Sequence, residues 1–371
     1  MTVFLFIALV ISVAYFIFMG WLFFGLSTRI GSTRGHCPGL TIVVPFRNEE
    51  ESIGDLIMAV AQQEYPIDQI ELLLVNDHSE DGGLEIIDKL SQSFPQLTIK
   101  LLSLRERSGK KAALYKGVTE ARHSIILQTD ADCNPDPYWV ANAVQPFEDP
   151  AVMASLGVVK MTGRSLMQRL FSLEFLSLQA SGLALVQRGI PVMANGANLA
   201  YRREIWLKYH PRDKGWSSGD DVFFIQQLAL KDPKAIHHNG ACRVSTPSPQ
   251  NLKAFIEQRV RWGSKTPAYP LRVAQYIAYL VVAENVMLVL CFLAGLLISP
   301  DFLAIYIALT GLKSLPEYLL VRSFAKISDQ RSPIRLFPVA AILYPFYIVV
   351  SGAIILFGSR AQRWKGRPLQ S

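Results

Sequence analysis

Thr129-Asp130-Ala131-Asp132 sets two carboxylates one residue apart at the end of the apolar run Ser124–Leu127. Side chains on an extended chain alternate between faces, so Asp130 and Asp132 read as pointing the same way. Such a pair suits a hard divalent cation: Mg²⁺ typically takes one or two carboxylates and completes its shell with phosphate oxygens and water. Taken alone, the triplet reads first as an ordinary polar turn. Other groups change that reading. Asn76 and Asp77 close the apolar run from Ile70, Pro45, Arg47 and Glu49 close the run from Leu40, and Lys110 follows Gly109. Asp220-Asp221 opens the segment "VFFIQQLAL", where a helix dipole favours acidic residues. Gln258, Arg261 and Trp262 are spaced i, i+3 and i+4, which is one face of a helix. A Trp plane beside an Arg and a Gln offers a sugar apolar stacking and hydrogen bonds.

These residues need a scaffold that gathers them. From Gly39 the chain alternates short β-rich runs with helical ones: strands at Leu40–Phe46, Ile70–Asp77, Thr98–Leu104 and Ser124–Asp132, with helices at 49–63, 82–94 and 109–121 between them. Repeated βα winding predicts an α/β domain with a mostly parallel sheet and right-handed crossovers. Open sheets of this kind bind ligands at the carboxyl ends of their strands. Pro45–Glu49, Asn76–Asp77 and Asp130–Asp132 all fall on that rim.

The flanks are apolar. Half of the 371 residues are hydrophobic and the mean hydropathy is +0.25, high for a soluble chain. Val3–Leu26 runs 24 residues without a charge, enough to cross a bilayer, and it lacks the basic start and small-residue cleavage site of a secretory signal. It reads as a retained anchor. Arg29 and Arg34 follow it, which places the next segment in the cytoplasm by the positive-inside tendency. Three further apolar stretches occur at Val273–Ser299, Phe302–Val321 and Leu336–Phe357. The second carries Lys313, Pro316 and Glu317 and reads as a span or as a re-entrant or interfacial piece. The expected organisation is an anchor over 1–28, a cytoplasmic domain over 29–270, and a membrane region over 271–371 with two or three spans. The result is a multi-pass protein of the cell membrane. The net charge of +7 lies largely beside the apolar stretches and implies attraction to headgroups, with no nucleic-acid partner. Four cysteines far apart imply free thiols in a reducing compartment. His237 and His238 are neighbours on a strand and face opposite ways, which argues against a shared metal.

With these residues assembled, the chain resembles the membrane-bound, inverting family 2 glycosyltransferases of GT-A fold over about Leu40–Pro267. The likeness rests on ordered motifs. "TIVVPFRNEEESI" resembles the opening strand and turn, "LLLVNDHSEDGG" the strand whose Asp meets the nucleotide base, and "SGKKAALYKGV" the segment whose Lys faces the donor. "TDAD" is similar to the metal-binding D-x-D, "NGANLAYRREIW" to the acceptor-side segment, "SGDDVFF" to the acidic motif that supplies the base, and "QRVRW" to Q-x-x-R-W. The resemblance implies donor contacts at Pro45, Arg47, Glu49, Asp77, Lys110 and Asp130. It implies Mn²⁺ or Mg²⁺ at Asp132 and Asp130, and acceptor or diphosphate contacts at Asn198, Gln258, Arg261 and Trp262. The base would be Asp221, with Asp220 as the alternative, because this chain has Asp-Asp where the family has Glu-Asp. Asn76 stands where the family often has Asp.

The implied activity is metal-dependent, inverting hexosyl transfer from a nucleotide sugar, UDP-linked by family analogy, to a hydroxyl of a membrane-associated lipid acceptor. A processive polysaccharide synthase with a glycan acceptor is the alternative, as is an inactive scaffold with a transferase-like domain. A nucleotidyltransferase would need a Gly- and Arg-rich triphosphate signature, which "VVPFRNEEES" lacks.

Overall fold

The computed structural model describes residues 2–26, 37–105, 108–210 and 219–357, and the backbone strands 363–364 and 367–368. Along the chain the elements are α1 (Thr2–Gly25), β1 (Leu40–Phe46), α2 (Ile53–Ala61), β2 (Ile70–Asn76), α3 (Gly83–Ser93), β3 (Thr98–Ser103) and α4 (Lys110–Glu120). There follow β4 (Ile125–Gln128), β5 (Asn134–Pro135), α5 (Trp139–Val144), β6 (Ala154–Thr162), α6 (Leu166–Gln187), β7 (Leu199–Arg202), α7 (Arg203–Tyr209), α8 (Asp220–Ala229) and β8 (Ile236–Pro247). The chain then forms α9 (Leu252–Gly263), α10 (Arg272–Leu297), α11 (Asp301–Ile327) and α12 (Phe337–Phe357). Arg29, Arg34 and the basic tail from Gly358 lie outside the residues whose side chains are described.

Two compact units emerge, one of residues 1–28, 162–188 and 248–361, the other of residues 29–161, 189–247 and 362–371. This division is not the run of three consecutive segments read from the sequence, because α6 and α9 pack with the apolar helices.

The second unit is built on an eight-stranded sheet in the order β3-β2-β1-β4-β7-β6-β8-β5. The four strands of the βα repeats pair in parallel, with Leu40 opposite Ile70 and Ile125. β7 then joins β4 antiparallel and β6 joins β7 antiparallel, so the sheet is mixed. The parallel half is covered on both faces, which is why every residue of β1 and β2 is buried and why both read as unbroken apolar runs. α4 lies close on this half: a side chain at Gly117 would reach within 2.5 Å of Val43 and 3.1 Å of Val75. Glycine there lets the helix approach and fixes where its first residue, Lys110, stands.

The first unit is helical. Among the described residues, five helices are long and apolar enough to cross a membrane: α1, α6, α10, α11, and α12 with its preceding turn. α6 adds a fifth to the four apolar stretches read from the sequence. Its start is set by a capping box, Ser165 Oγ accepting from Gln168 N at 3.1 Å and Gln168 Oε1 accepting from Ser165 N at 3.2 Å. α11 is one continuous helix of 27 residues through Pro316. Its charged pair is internal: Lys313 Nζ donates to Glu317 Oε2 at 2.8 Å, and Tyr15 of α1 donates to Glu317 Oε1 at 2.5 Å. Glu284 of α10 is fully buried and accepts from Ser12 Oγ at 2.9 and 3.1 Å. Hydrogen-bonded carboxylates thus tie α1 to both α10 and α11.

Candidate functional site

The rim predicted from the strand ends forms. Asp77, directly after β2, is 1% exposed. Its Oδ2 accepts from Gly109 N at 2.9 Å, and its Oδ1 lies 3.0 Å from His78 Nδ1. Gly109 sits at φ +101°, a conformation open to glycine at little cost, and it delivers the chain into α4. Asp77 therefore positions the lysine that follows. Lys110 Nζ is ion-paired with Asp130. Burial opposes its charge, but Asp130 first, then Asp220, and then Asp221 hold its pKa above the ordinary lysine value. Four groups from three separate segments thus share one electrostatic neighbourhood.

The D-x-D pair departs from expectation. β4 ends at Gln128, so Asp130 and Asp132 lie on a turn, closed by Cys133 N donating to Asp130 O at 3.1 Å. On that turn the two carboxylates stay within electrostatic reach of each other and of Lys110. Asp130 is half-buried against Lys110, whereas Asp132 is exposed in a cleft of about 450 Å³ lined also by Asn48, Glu49, Ser52, Asp81 and Pro247. Desolvation and the charge of Asp130 raise the Asp132 carboxyl above its usual range. Among the described residues, no group of three or more His, Cys, Asp or Glu is placed to hold a metal alone. The donor set fits an ion that takes one or two carboxylates and draws its remaining ligands from phosphate and water. Asp132 is a carboxylate whose charged form a cation would favour.

Pro45 is buried in β1 opposite Val75, and Arg47 is buried just beyond it. Glu49 is half-buried and accepts from Ser52 Oγ at 3.1 Å. The turns after β1 and β2 are laced together: Asn48 Oδ1 accepts from Glu80 N at 2.9 Å, and Asp81 Oδ2 accepts from Glu50 N at 2.9 Å.

Of the acidic pair, Asp220 is buried and Asp221 half-buried. Asp221 Oδ2 accepts from Gly196 N at 2.7 Å and Oδ1 from Val222 N at 2.8 Å. Two backbone donors thus fix the carboxylate at the start of α8.

Asn198 does not belong to the rim. It is 1% exposed, and its amide is spent in the core: Nδ2 donates to Val158 O and Cys242 O, while Oδ1 accepts from Trp139 Nε1 at 2.9 Å. The reading of Asn198 as an acceptor contact is corrected accordingly. Burial keeps the His238 imidazole neutral, pushing its pKa down to about 3, and His237 faces outward from the same strand.

In the helical unit, Gln258, Arg261 and Trp262 lie on α9 as expected, all half-buried. Arg259 organises two of them, Gln258 and Trp262. It is ion-paired with Glu174 of α6, Nε donating at 2.9 and 3.1 Å, and it also donates to Gln258 Oε1. Its guanidinium lies 4.5 Å from the Phe255 ring and 4.4 Å from the Trp262 ring. The signal was present as Phe255, Arg259 and Trp262 at helical spacing, but a buried arginine cannot be told from a solvated one until its acid on another helix is known.

Residues 41–209 match the family model described as Glycosyl transferase family 2. The chain carries a family 2 glycosyltransferase domain. Over 193 residues it is 27% identical to Glycosyltransferase AglE of Haloferax volcanii, a match covering 51% of this chain and 61% of that protein. The chain thus spans less than two thirds of that relative's length. It is 22% identical over 321 residues to the poly-beta-1,6-N-acetyl-D-glucosamine synthase of Staphylococcus epidermidis, covering 81% of this chain and 75% of the relative. Among solved structures it resembles the mannosyltransferase PcManGT of Pyrobaculum calidifontis in complex with GDP-Man and Mn²⁺. That likeness has a TM-score of 0.60 at 20% identity and covers 96% of this chain and all of that one. It establishes a GT-A-like fold for this chain.

Proposed function

We propose that this glycosyltransferase moves a hexosyl group, with inversion, from a nucleotide sugar to a hydroxyl of a lipid-type acceptor at the membrane. The donor is taken as UDP-linked by family analogy. The observation that carries the reading is the convergence of Lys110, Asp130, Asp220 and Asp221. A displacement at an anomeric carbon needs a base on one side and positive charge at the departing diphosphate on the other. Asp221 takes the acceptor proton, since it is the more accessible carboxylate of its pair and two backbone donors hold it oriented. Asp220 remains the alternative.

Lys110 faces the diphosphate, held by Asp77 through Gly109 and by Asp130. Pro45, Arg47 and Glu49 border the nucleotide. Asp132, with Asp130, would hold Mg²⁺ or Mn²⁺, which when bound supplies Lewis-acid stabilisation of charge developing on the leaving oxygens. Gln258, Arg261 and Trp262 are assigned to the acceptor or diphosphate. The domain is placed at the cytoplasmic face on the charge of Arg29 and Arg34.

A lipid acceptor suits a domain carried with five helices long and apolar enough to cross a membrane among the described residues. A second reading, repeated chain extension, is favoured by the similarity to the polysaccharide synthase over most of this chain.

The test is nucleoside diphosphate release by the purified protein in detergent from a panel of UDP-, GDP- and TDP-sugars with added membrane lipids, with Mg²⁺ or Mn²⁺ and after chelation. Metal-dependent release from one donor, lost in Asp132→Ala, is the expected result. A single-sugar lipid product separates the first reading from the second. No release from any donor would overturn both.

A further inference from the structure

Gln128 closes β4 two residues before Asp130 and is wholly buried. Its Oε1 accepts from Tyr201 Oη at 3.3 Å, but its Nε2 is buried with no hydrogen-bond partner among the described residues. An amide donor left unmade in a protein interior keeps its desolvation cost, so such a group calls for a reason. The surroundings supply one. A methyl group built on Gly196 would lie 2.6 Å from Gln128 Nε2 and 3.5 Å from Asp221 Oδ2. The orphan donor and the carboxylate therefore border the same small space, and the absence of a side chain at Gly196 keeps it open. Turning the amide over would set its oxygen toward Asp221 Oδ2, which already acts as an acceptor for Gly196 N. Rotation about the last torsion of a glutamine is soft, so the N–H can swing toward Asp221 while the chain stays in place.

We infer that Gln128 is a positioning residue for Asp221: its Nε2–H donates to the Asp221 carboxylate during turnover and fixes the oxygen that receives the acceptor proton. This rests on the reading of Asp221 as the base. Thr129 supports the arrangement by donating from Oγ1 to Ala197 O at 2.8 Å, which pins the Gly196 segment to the end of β4.

The experiment compares the full-length protein with Gln128→Met, Tyr201→Phe and Asp221→Asn, using the sugar nucleotide that gives the highest release in the panel above. Gln128→Met keeps the bulk and removes the donor. Its kcat is expected to fall about 10- to 100-fold, the worth of a hydrogen bond to a charged group, with donor KM unchanged. Removing a donor from a carboxylate favours its protonated form, so the acid limb of kcat/KM is expected to move to higher pH. The other charged groups around the base, Lys110, Asp130 and Asp220, are unaltered in this variant.

Tyr201→Phe removes only the bond to Oε1 and is expected to keep kcat within about threefold, as for a neutral hydrogen bond. Should Gln128→Met fail to fold, Gln128→Glu at pH 8 retains shape and the Tyr201 bond and is expected to lose at least as much activity. Wild-type kcat and pH profile in a folded Gln128 variant would overturn the inference, as would an equal loss in Tyr201→Phe. Asp221→Asn separates the two levels: a loss of about 10²–10⁴ upholds the base, and undiminished turnover removes the base and this inference together.

Discussion

Glu174→Gln tests whether the Arg259 pair holds α9 against α6. The side chains are 4% and 9% exposed, so the substitution leaves a guanidinium in the interior with no counter-charge. Breaking a buried pair from one side typically costs about 3–5 kcal/mol, more than the Coulomb attraction alone, because the remaining ion keeps its desolvation penalty. The flanking Phe255 and Trp262 rings offset part of this by about 1–2 kcal/mol. At about 2–4 °C per kcal/mol, the midpoint should fall by roughly 10 °C. The assay is thermal unfolding in detergent followed by tryptophan emission, to which Trp262 reports directly. The companion is Glu174→Leu with Arg259→Met, which removes both charges. Replacing a buried pair by apolar residues is often near neutral, so the double variant should recover most of the loss, a coupling of about 2–4 kcal/mol. If the two losses simply add, the pair is not coupled and Arg259 does not organise Gln258 and Trp262.

Gly196→Ala should lower stability by about 1–3 kcal/mol, because its methyl would sit 2.6 Å from Gln128 Nε2; an unchanged melting temperature and kcat would contradict the packing described. His238, neutral when folded until about pH 3, leaves the unfolded chain to bind its proton first as pH falls below about 6.5. Stability therefore falls with pH across that window, and His238→Phe should lose less melting temperature than wild type between pH 7.5 and 5. An equal loss would place the acid sensitivity elsewhere.

The βα half of the sheet was legible because each strand is a short apolar run ending in polar residues, and the rim followed from the rule that ligands gather at those ends. The D-x-D geometry was not: β4 stops at Gln128, four residues short of Asp132, so the two carboxylates do not share a strand face, and nothing in "QTDAD" marks that boundary. α6 escaped notice as a membrane-type helix because Gln168, Arg169, Glu174 and Gln179 interrupt it. Those groups are tolerable only because they find partners in the fold, as Glu174 does in Arg259 and Tyr347. Asn198 looked like a ligand from its place in a motif. A buried amide with all its bonds made to distant backbone atoms cannot be foreseen from neighbours in sequence.

The contacts of α1 carry a consequence for biogenesis. Ser12 meets Glu284 across 272 residues, and Tyr15 meets Glu317 across 302. Helix α1 is therefore made long before its partners and waits, with these polar groups unanswered, until α10 and α11 have followed. Lys313 and Glu317 can enter lipid already neutralising one another, one turn apart on the same helix. Glu284 has no such companion on α10 and depends on the waiting Ser12. Replacing α1 by an unrelated apolar helix would strand that carboxyl, so α1 acts as an assembly partner of α10 and α11.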